Sequence, residues 1–223
     1  MARHKIVILD NGHGIDTPGK RSPEGMLTGE GQVALHEFEF NRDVVQRISK
    51  LLIEEGIQYT LLVPEVYDVP LYERVRRVEN EVSNKNFDFF LISVHADAFE
   101  PNVGTGWSAY TSPGETESDK IAEIFYNVAK KKLKKAKVSF TKMVDGKLQS
   151  IEKTFNFKFR SDNSDGDQDK EAKFYMLTKT ACPAVLTENL FYTNEKDLEF
   201  LLSDGGRQII AEIHFEAIKE YVG

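Results

Sequence analysis

Ile6-Val7-Ile8-Leu9-Asp10-Asn11-Gly12-His13-Gly14 is the stretch on which the reading of the whole chain turns. Ile6 to Leu9 are all apolar and three of the four are β-branched, which suits a strand buried on both faces. The run then breaks into Asp-Asn-Gly-His-Gly, whose glycines permit backbone angles that a residue with a Cβ resists. A polar turn at the end of a buried strand puts His13 at the carboxyl edge of the sheet, where open α/β folds gather their ligands. Two later stretches share this design. Phe87 to Val94 runs into His95-Ala96-Asp97, and Pro183 to Thr187 runs into Glu188-Asn189. Three apolar strands ending in His, His and Glu point to one site assembled from strand ends.

The chain has 223 residues, enough for one sizeable domain. Hydrophobic residues make up 40% and charged residues 29%, the balance of an ordinary globular protein. A formal net charge of −7 excludes a protein-wide basic footprint for nucleic acid. The single cysteine, Cys182, precludes an intramolecular disulfide and is expected to be a small core residue. No apolar run reaches the ~18 residues of a membrane span, so no membrane insertion is expected. The amino terminus enters a strand without the apolar centre of a signal peptide. This leads to the expectation that the chain is made in the cytoplasm and stays there until released.

Beyond the first strand, residues 15–31 form a long loop with turns at Pro18-Gly19 and Pro23-Glu24-Gly25. Val44, Val45, Ile48, Leu51 and Leu52 then repeat at helical spacing, predicting a helix from about Glu37 to Glu55 that Gly56 stops. Stepping back along that apolar face reaches Asn41 and Glu37, whereas Glu39 falls on the solvated side. An inward carboxylate at a helix start needs a partner. A second strand is expected over 57–63 and a second helix over 70–85. A short strand is expected over 106–111 and an amphipathic helix over 119–135. Residues 138–173 are the least regular and read as an insertion or long loop. Strands at 175–178 and 183–187 and a closing helix at 206–222 complete a single α/β domain. Its central sheet is mostly parallel, with helices on both faces.

The six lysines between 130 and 137 are read as a solvated helix end. Ser161 to Asp169 resembles a calcium loop, but with Gly166 sixth an EF-hand would need acids at Ser161 and Ala172. Both fail, and an acidic surface loop is expected. A catalytic zinc takes three protein ligands and leaves a fourth position for water. His13, Glu37 and His95 could supply that set, with Glu188 as a nearby carboxylate free to move protons. Their separations of 24 and 58 residues form no compact motif. His4, His36 and His214 are read as surface or capping residues.

These blocks resemble the zinc-dependent N-acetylmuramoyl-L-alanine amidases of the amidase_3 type, over nearly the whole chain. Leu9 to Gly14 is similar to the family's strand followed by Asp-Pro-Gly-His-Gly. Glu37-Phe38-Glu39-Phe40-Asn41 resembles its metal-binding glutamate with an asparagine four residues on. Leu71-Tyr72-Glu73-Arg74 with Asn80 matches the helix before the third block, Ile92 to Ala98. Pro183 to Asn189 with Asn194 resembles the last strand, which bears the catalytic glutamate.

The resemblance implies Zn2+ held by His13, Glu37 and His95, with Glu188 as the catalytic acid–base. It implies hydrolysis of the amide between N-acetylmuramic acid and L-alanine in peptidoglycan. A zinc peptidase acting on the stem peptide and a non-catalytic wall-binding module are the alternatives. Asp97 stands where the family usually has asparagine, and Asn189-Leu190 replaces its usual Leu-Gly. Trp107 fits either a groove wall or the core. Without a leader the chain resembles a phage or prophage endolysin held in the cytoplasm until release, the competitor being a secreted enzyme whose leader was removed. Oligomeric state is left open.

Overall fold

The computed structural model describes residues 3–29, 31–164 and 166–223; Glu30 of the first loop and Asp165 of the acidic run lie outside the described residues. In chain order the elements are β1 (His4–Asn11), α1 (Glu37–Glu55), β2 (Tyr59–Leu61), α2 (Leu71–Val82), β3 (Phe87–Asp97) and β4 (Trp107–Thr111). There follow α3 (Glu117–Leu133), β5 (Ala136–Val144), β6 (Lys147–Phe155), β7 (Lys170–Glu171), α4 (Tyr175–Lys179), β8 (Ala184–Phe191), α5 (Glu195–Leu202) and α6 (Asp204–Val222).

Six strands make one mixed sheet in the order β2-β1-β3-β8-β4-β7. β2, β1, β3 and β8 run parallel, and β4 lies antiparallel to β8. The expected single α/β domain with a mostly parallel sheet is therefore present. Side chains alternate across the strands, and both faces are covered. Val7 and Leu9 pack in a large core with Val44 and Ile48 of α1, Phe125 of α3 and Ile210 of α6. Ile8 and Leu91 face the other way, onto Val75 and Val78 of α2 and Met176 of α4.

Several boundaries differ from the sequence reading. The segment 138–173 is not irregular throughout: β5 and β6 pair in a nine-residue antiparallel ladder around Asp145-Gly146. Its polar alternation resembles loop composition because most of β6 faces solvent. Tyr175–Lys179 is a helix, since a five-residue run carries too little periodicity to distinguish the two states. The final strand continues through Glu188 to Phe191, so Glu188 lies within it. α5 was not foreseen; Asn194 caps it by accepting from the backbone N–H groups of Lys196 and Asp197. Cys182 is half-buried against the smaller core, and burial pushes its thiol up to about 12.

His4 is exposed, and His36 occupies the N-cap of α1 without a side-chain capping bond. His214 is neither a surface nor a capping residue. It is fully buried on α6, with Nδ1 2.8 Å from the Ile210 carbonyl and Nε2 2.8 Å from Thr187 Oγ1. A carbonyl can only accept, so Nδ1 carries the proton and the Thr187 hydroxyl donates to Nε2. Burial favours this neutral ring and lowers its pKa from 6.5 to about 4.

A depressed histidine contributes stability that is full above about pH 6.5 and is lost as pH falls through about 4. The loss attributable to His214 should be on the order of 3 kcal/mol. Urea unfolding of the protein and of His214→Gln between pH 7 and 4 would measure it. The variant should start less stable but lose distinctly less over that range; parallel curves would exclude a buried neutral His214.

Candidate active site

The site lies at the carboxyl end of the parallel strands and is built from three aligned positions. Asn11 pairs with Val94 and His95 pairs with Glu188, so Gly12, His95 and Glu188 stand side by side across β1, β3 and β8. Gly12 donates its N–H to the Val94 carbonyl at 3.2 Å, extending the ladder one step past β1. The His95 ring rests on the Gly12 backbone: a Cβ added there would sit 2.0 Å from His95 Cε1. Gly14 is constrained in the same way by the Tyr67-Asp68 backbone, 2.0 Å from the Cβ position. The left-handed backbone belongs to His13 between them, with φ 63°. The glycines are thus required by close approach, and the histidine carries the strain.

Two guanidinium groups hold that turn. Arg42 of α1 donates to the His13 carbonyl at 3.0 Å and to the Glu65 carbonyl. Arg74 of α2, itself buried, donates to Asp10 Oδ1 at 2.6 Å and to the carbonyls of Asn11 at 3.2 Å and His13 at 3.4 Å. Asp10 Oδ2 accepts from the Ser93 hydroxyl, which ties β1 to β3.

Glu37 enters from the first turn of α1 and is 1% exposed, whereas Glu39 is exposed, as the helical face predicts. Glu37 Oε1 lies 3.3 Å from His13 Nε2 and 3.0 Å from His95 Nδ1, and accepts from the Ala96 N–H at 3.3 Å. The two rings meet edge to face at 4.9 Å between centroids. One donor atom from each of the three residues falls within 4.8 Å of the others. Burial raises the Glu37 carboxyl, but hydrogen bonds and charge from His13 and His95 outweigh it and hold the group well below the usual carboxylate range. Glu37 Oε2 and Asn41 Oδ1 are buried without hydrogen-bond partners. Asn41 is oriented by its amide, which donates to the Gly12 carbonyl at 3.1 Å. Two imidazole nitrogens and a carboxylate converging beside an orphaned buried oxygen fit a divalent metal.

Glu188 is half-buried, and its Oε2 is sealed from solvent without a hydrogen-bond partner. Burial, together with the nearby Asp97 and Glu37 carboxylates, pushes it well above the usual carboxylate range, against the opposing pull of Lys20 and Arg160. Sequence reasoning brought together His13, Glu37, His95 and Glu188 but missed three neighbours. Lys20 Nζ stands 3.9 Å from Glu37 Oε2. Tyr192 is buried, and its hydroxyl is pushed up by burial and by Glu37 and Glu188. Arg160 pairs with Asp97 and stacks over Phe191. None had a sequence signal, since each arrives from a loop or a strand end. A cavity of about 480 Å³ adjoins the site, bounded by Arg21, Ser22, Phe99, Glu100, Tyr192 and Thr193.

Trp107 belongs to the core: it is fully buried and its Nε1 donates to Asn189 Oδ1 at 2.9 Å. The Asn189 amide donates in turn to the His95 carbonyl at 2.9 Å and to Thr187 Oγ1 at 3.1 Å. Asn189 thereby supports the backbone of His95. Leu190 beside it has φ 68° and is fully buried.

The close approach of Gly12 and His95 gives a direct test. Gly12→Ala should destabilise the fold, and the same change made in His95→Ala should cost less by about 0.5–3 kcal/mol, because the clashing ring is gone. Additive losses in a denaturation cycle would show that the ring does not rest on Gly12.

Comparison with known proteins places the chain and its fold among relatives. The chain is 27% identical over 210 residues to the N-acetylmuramoyl-L-alanine amidase CwlM of Bacillus licheniformis, covering 93% of this chain and 65% of the relative. It is 27% identical over 223 residues to the endolysin of Bacillus phage SPP1, covering 97% and 65%. The chain thus spans somewhat less than two thirds of the length of either. The fold matches an N-acetylmuramoyl-L-alanine amidase from Clostridium difficile 630 with a TM-score of 0.71 at 18% identity, over 99% of this chain and 97% of that one. It also matches the catalytic domain of the amidase CwlV from Bacillus (Paenibacillus) polymyxa var. colistinus, with a TM-score of 0.68 at 19% identity, over 98% and 99%. The model of the family Amidase_3, N-acetylmuramoyl-L-alanine amidase, matches residues 7–220, and the chain belongs to that family.

Proposed function

We propose that this protein hydrolyses peptidoglycan at the amide between the lactyl group of N-acetylmuramic acid and the L-alanine of the stem peptide. The observation that carries this is the convergence of His13, Glu37 and His95 beside Glu188, in a chain of the amidase family. His13 Nε2, a Glu37 carboxylate oxygen and His95 Nδ1 would hold one zinc ion. Bound there, zinc would supply Lewis acidity toward the amide carbonyl and lower the pKa of water toward ~7.

The chain's own groups supply the rest. Asn41 and the Ala96 N–H orient the Glu37 carboxylate, and the Gly12 backbone sets the His95 ring. Glu188 is assigned to proton transfer: its carboxylate takes the proton of the attacking water and returns it to the departing alanine nitrogen. Three protein ligands already suffice for a catalytic zinc, and a fourth carboxylate would occupy the position that water needs. Its raised pKa suits a group that must both accept and release a proton. The cavity bordered by Arg21 and Tyr192 is assigned to part of the muramoyl-peptide substrate, a reading supported by Tyr192, which lies close enough to Glu37 and Glu188 to be shifted by both. Similarity to a phage endolysin supports action on the cell wall after release from the cell that makes it. No described helix is long and apolar enough to cross a membrane.

Product analysis on purified sacculi tests the reaction. New L-alanine amino termini without new reducing sugars are expected; cleavage between stem-peptide residues would instead assign a zinc peptidase. Glu188→Gln should keep its fold, zinc and sacculus binding and lose about 10²–10⁴-fold in rate. Loss of zinc would make Glu188 a ligand, and near-full activity would assign the proton to another group. Glu37→Ala should lose stoichiometric zinc by metal analysis, whereas Glu39→Ala should retain it. The reverse result would overturn the ligand set.

A further inference from the structure

A second group of acids gathers on the opposite side of β4, away from the site above. The start of α3 and the segment before β7 bring Asp119, Asp167 and Asp169 together, with one carboxylate oxygen from each within 4.8 Å of the others. The acidic run was expected to be a solvated loop, yet Asp169 is 1% exposed. Its Oδ2 accepts from the Thr111 hydroxyl at 2.6 Å, while Oδ1 is buried without a partner. Asp167 Oδ1 is likewise sealed and unpartnered. Asp119 is held by its capping role, accepting from the Thr116 N–H at the start of α3.

The local cations are engaged elsewhere. Lys120 pairs with Glu117 at 2.7 Å, and Lys170 lies over the Tyr110 ring. Among the described residues, no Lys or Arg forms an ion pair with any of the three aspartates. A cavity of about 690 Å³ opens beside them, lined by Asp119 and Asp167 and also by Glu115, Glu117 and Glu171. Buried carboxylates that face one another without a counter-charge are strongly unfavourable.

We propose that Asp119, Asp167 and Asp169 form a binding site for a hard divalent cation of calcium's size. The donors are all oxygens, the set that suits calcium rather than zinc. Separations up to 4.8 Å match oxygens around an ion with bonds of about 2.3–2.6 Å. Magnesium, which demands near-regular octahedral geometry at about 2.0–2.1 Å, fits less well, because Thr111 and Thr116 already fix two of the three carboxylates. The open cavity leaves room for the waters that complete the shell. This is not an EF-hand: one donor comes from a helix start some 50 residues before the other two.

Bound there, the ion would fasten the segment between β6 and β7 to α3. That segment also carries Phe159, which bridges to Trp107, and Arg160, which pairs with Asp97 beside His95. The proposal does not rest on the amidase reading. The rival resolution of the same repulsion is a proton on Asp169, whose carboxyl burial and Asp167 push up to about 7.

Calcium titration of the zinc-loaded protein, read by calorimetry and thermal unfolding, separates the two. One calcium per chain is expected, raising Tm by roughly 5–10 °C at a hundredfold excess over its dissociation constant. Magnesium should give a smaller shift. Asp167→Asn and Asp169→Asn should each abolish the response, and Glu188→Gln should retain it. No shift at 10 mM calcium (a concentration of about that order spans even weak extracellular-type sites), or a shift that survives in both Asn variants, would overturn the proposal. An Asp169→Asn protein that is simply more stable, with no calcium response in either form, would assign the proton instead.

Discussion

The end of β1 depends on one buried guanidinium. Arg74 reaches from α2 to neutralise Asp10 and to donate to the carbonyls of Asn11, the last residue of β1, and of His13, which lies beyond it. Truncating such a buried pair leaves the surviving charge unpaired, which typically costs 3–5 kcal/mol. Its consequence is more specific than stability. A left-handed φ at a residue with a Cβ costs about 1–2 kcal/mol and persists only where the surroundings impose it. Arg74 and Arg42 impose it at His13, and that conformation turns Nε2 toward Glu37.

The positions that the sequence resemblance marks as departures, Asp97, Asn189 and Leu190, make contacts with neighbouring elements and with the segment after the β5–β6 hairpin. Asp97, in place of asparagine, meets Arg160 from that segment, and Arg160 continues over the Phe191 ring. Asn189 receives the Trp107 indole N–H and passes two hydrogen bonds on, one to the carbonyl of His95. Leu190 adopts the backbone that glycine would take freely, and its buried side chain compensates by packing in the main core. The departures thus lie behind and beside the proposed metal ligands, and none replaces one.

Glu37 and Glu188 show how environment divides the work between two carboxylates. Both are removed from water, which by itself raises a carboxyl pKa. Glu37 is met by two imidazoles and is held ionised; Glu188 is met by other carboxylates and is driven toward its protonated form. A ligand needs the first condition, and a group that gives and receives a proton needs the second.

The apolar run Ile6–Leu9, the strand into His95, the strand into Glu188 and the helical face that turned Glu37 inward were all legible in the sequence, because hydrophobic periodicity is a local property. Family-like blocks at four places then fixed their order. The same periodicity was silent on the short α4, on α5 and on the solvent-facing β6, where too few buried positions remain to mark a period. It could not reveal that His13 rather than a glycine bears the positive φ, nor that Gly12 is small because the His95 ring lies against it. It also could not bring Lys20, Tyr192 and Arg160 to the site, bury His214, or fold Asp167 and Asp169 back onto Asp119. Those outcomes depend on contacts between residues tens of positions apart, and only the folded chain sets such distances.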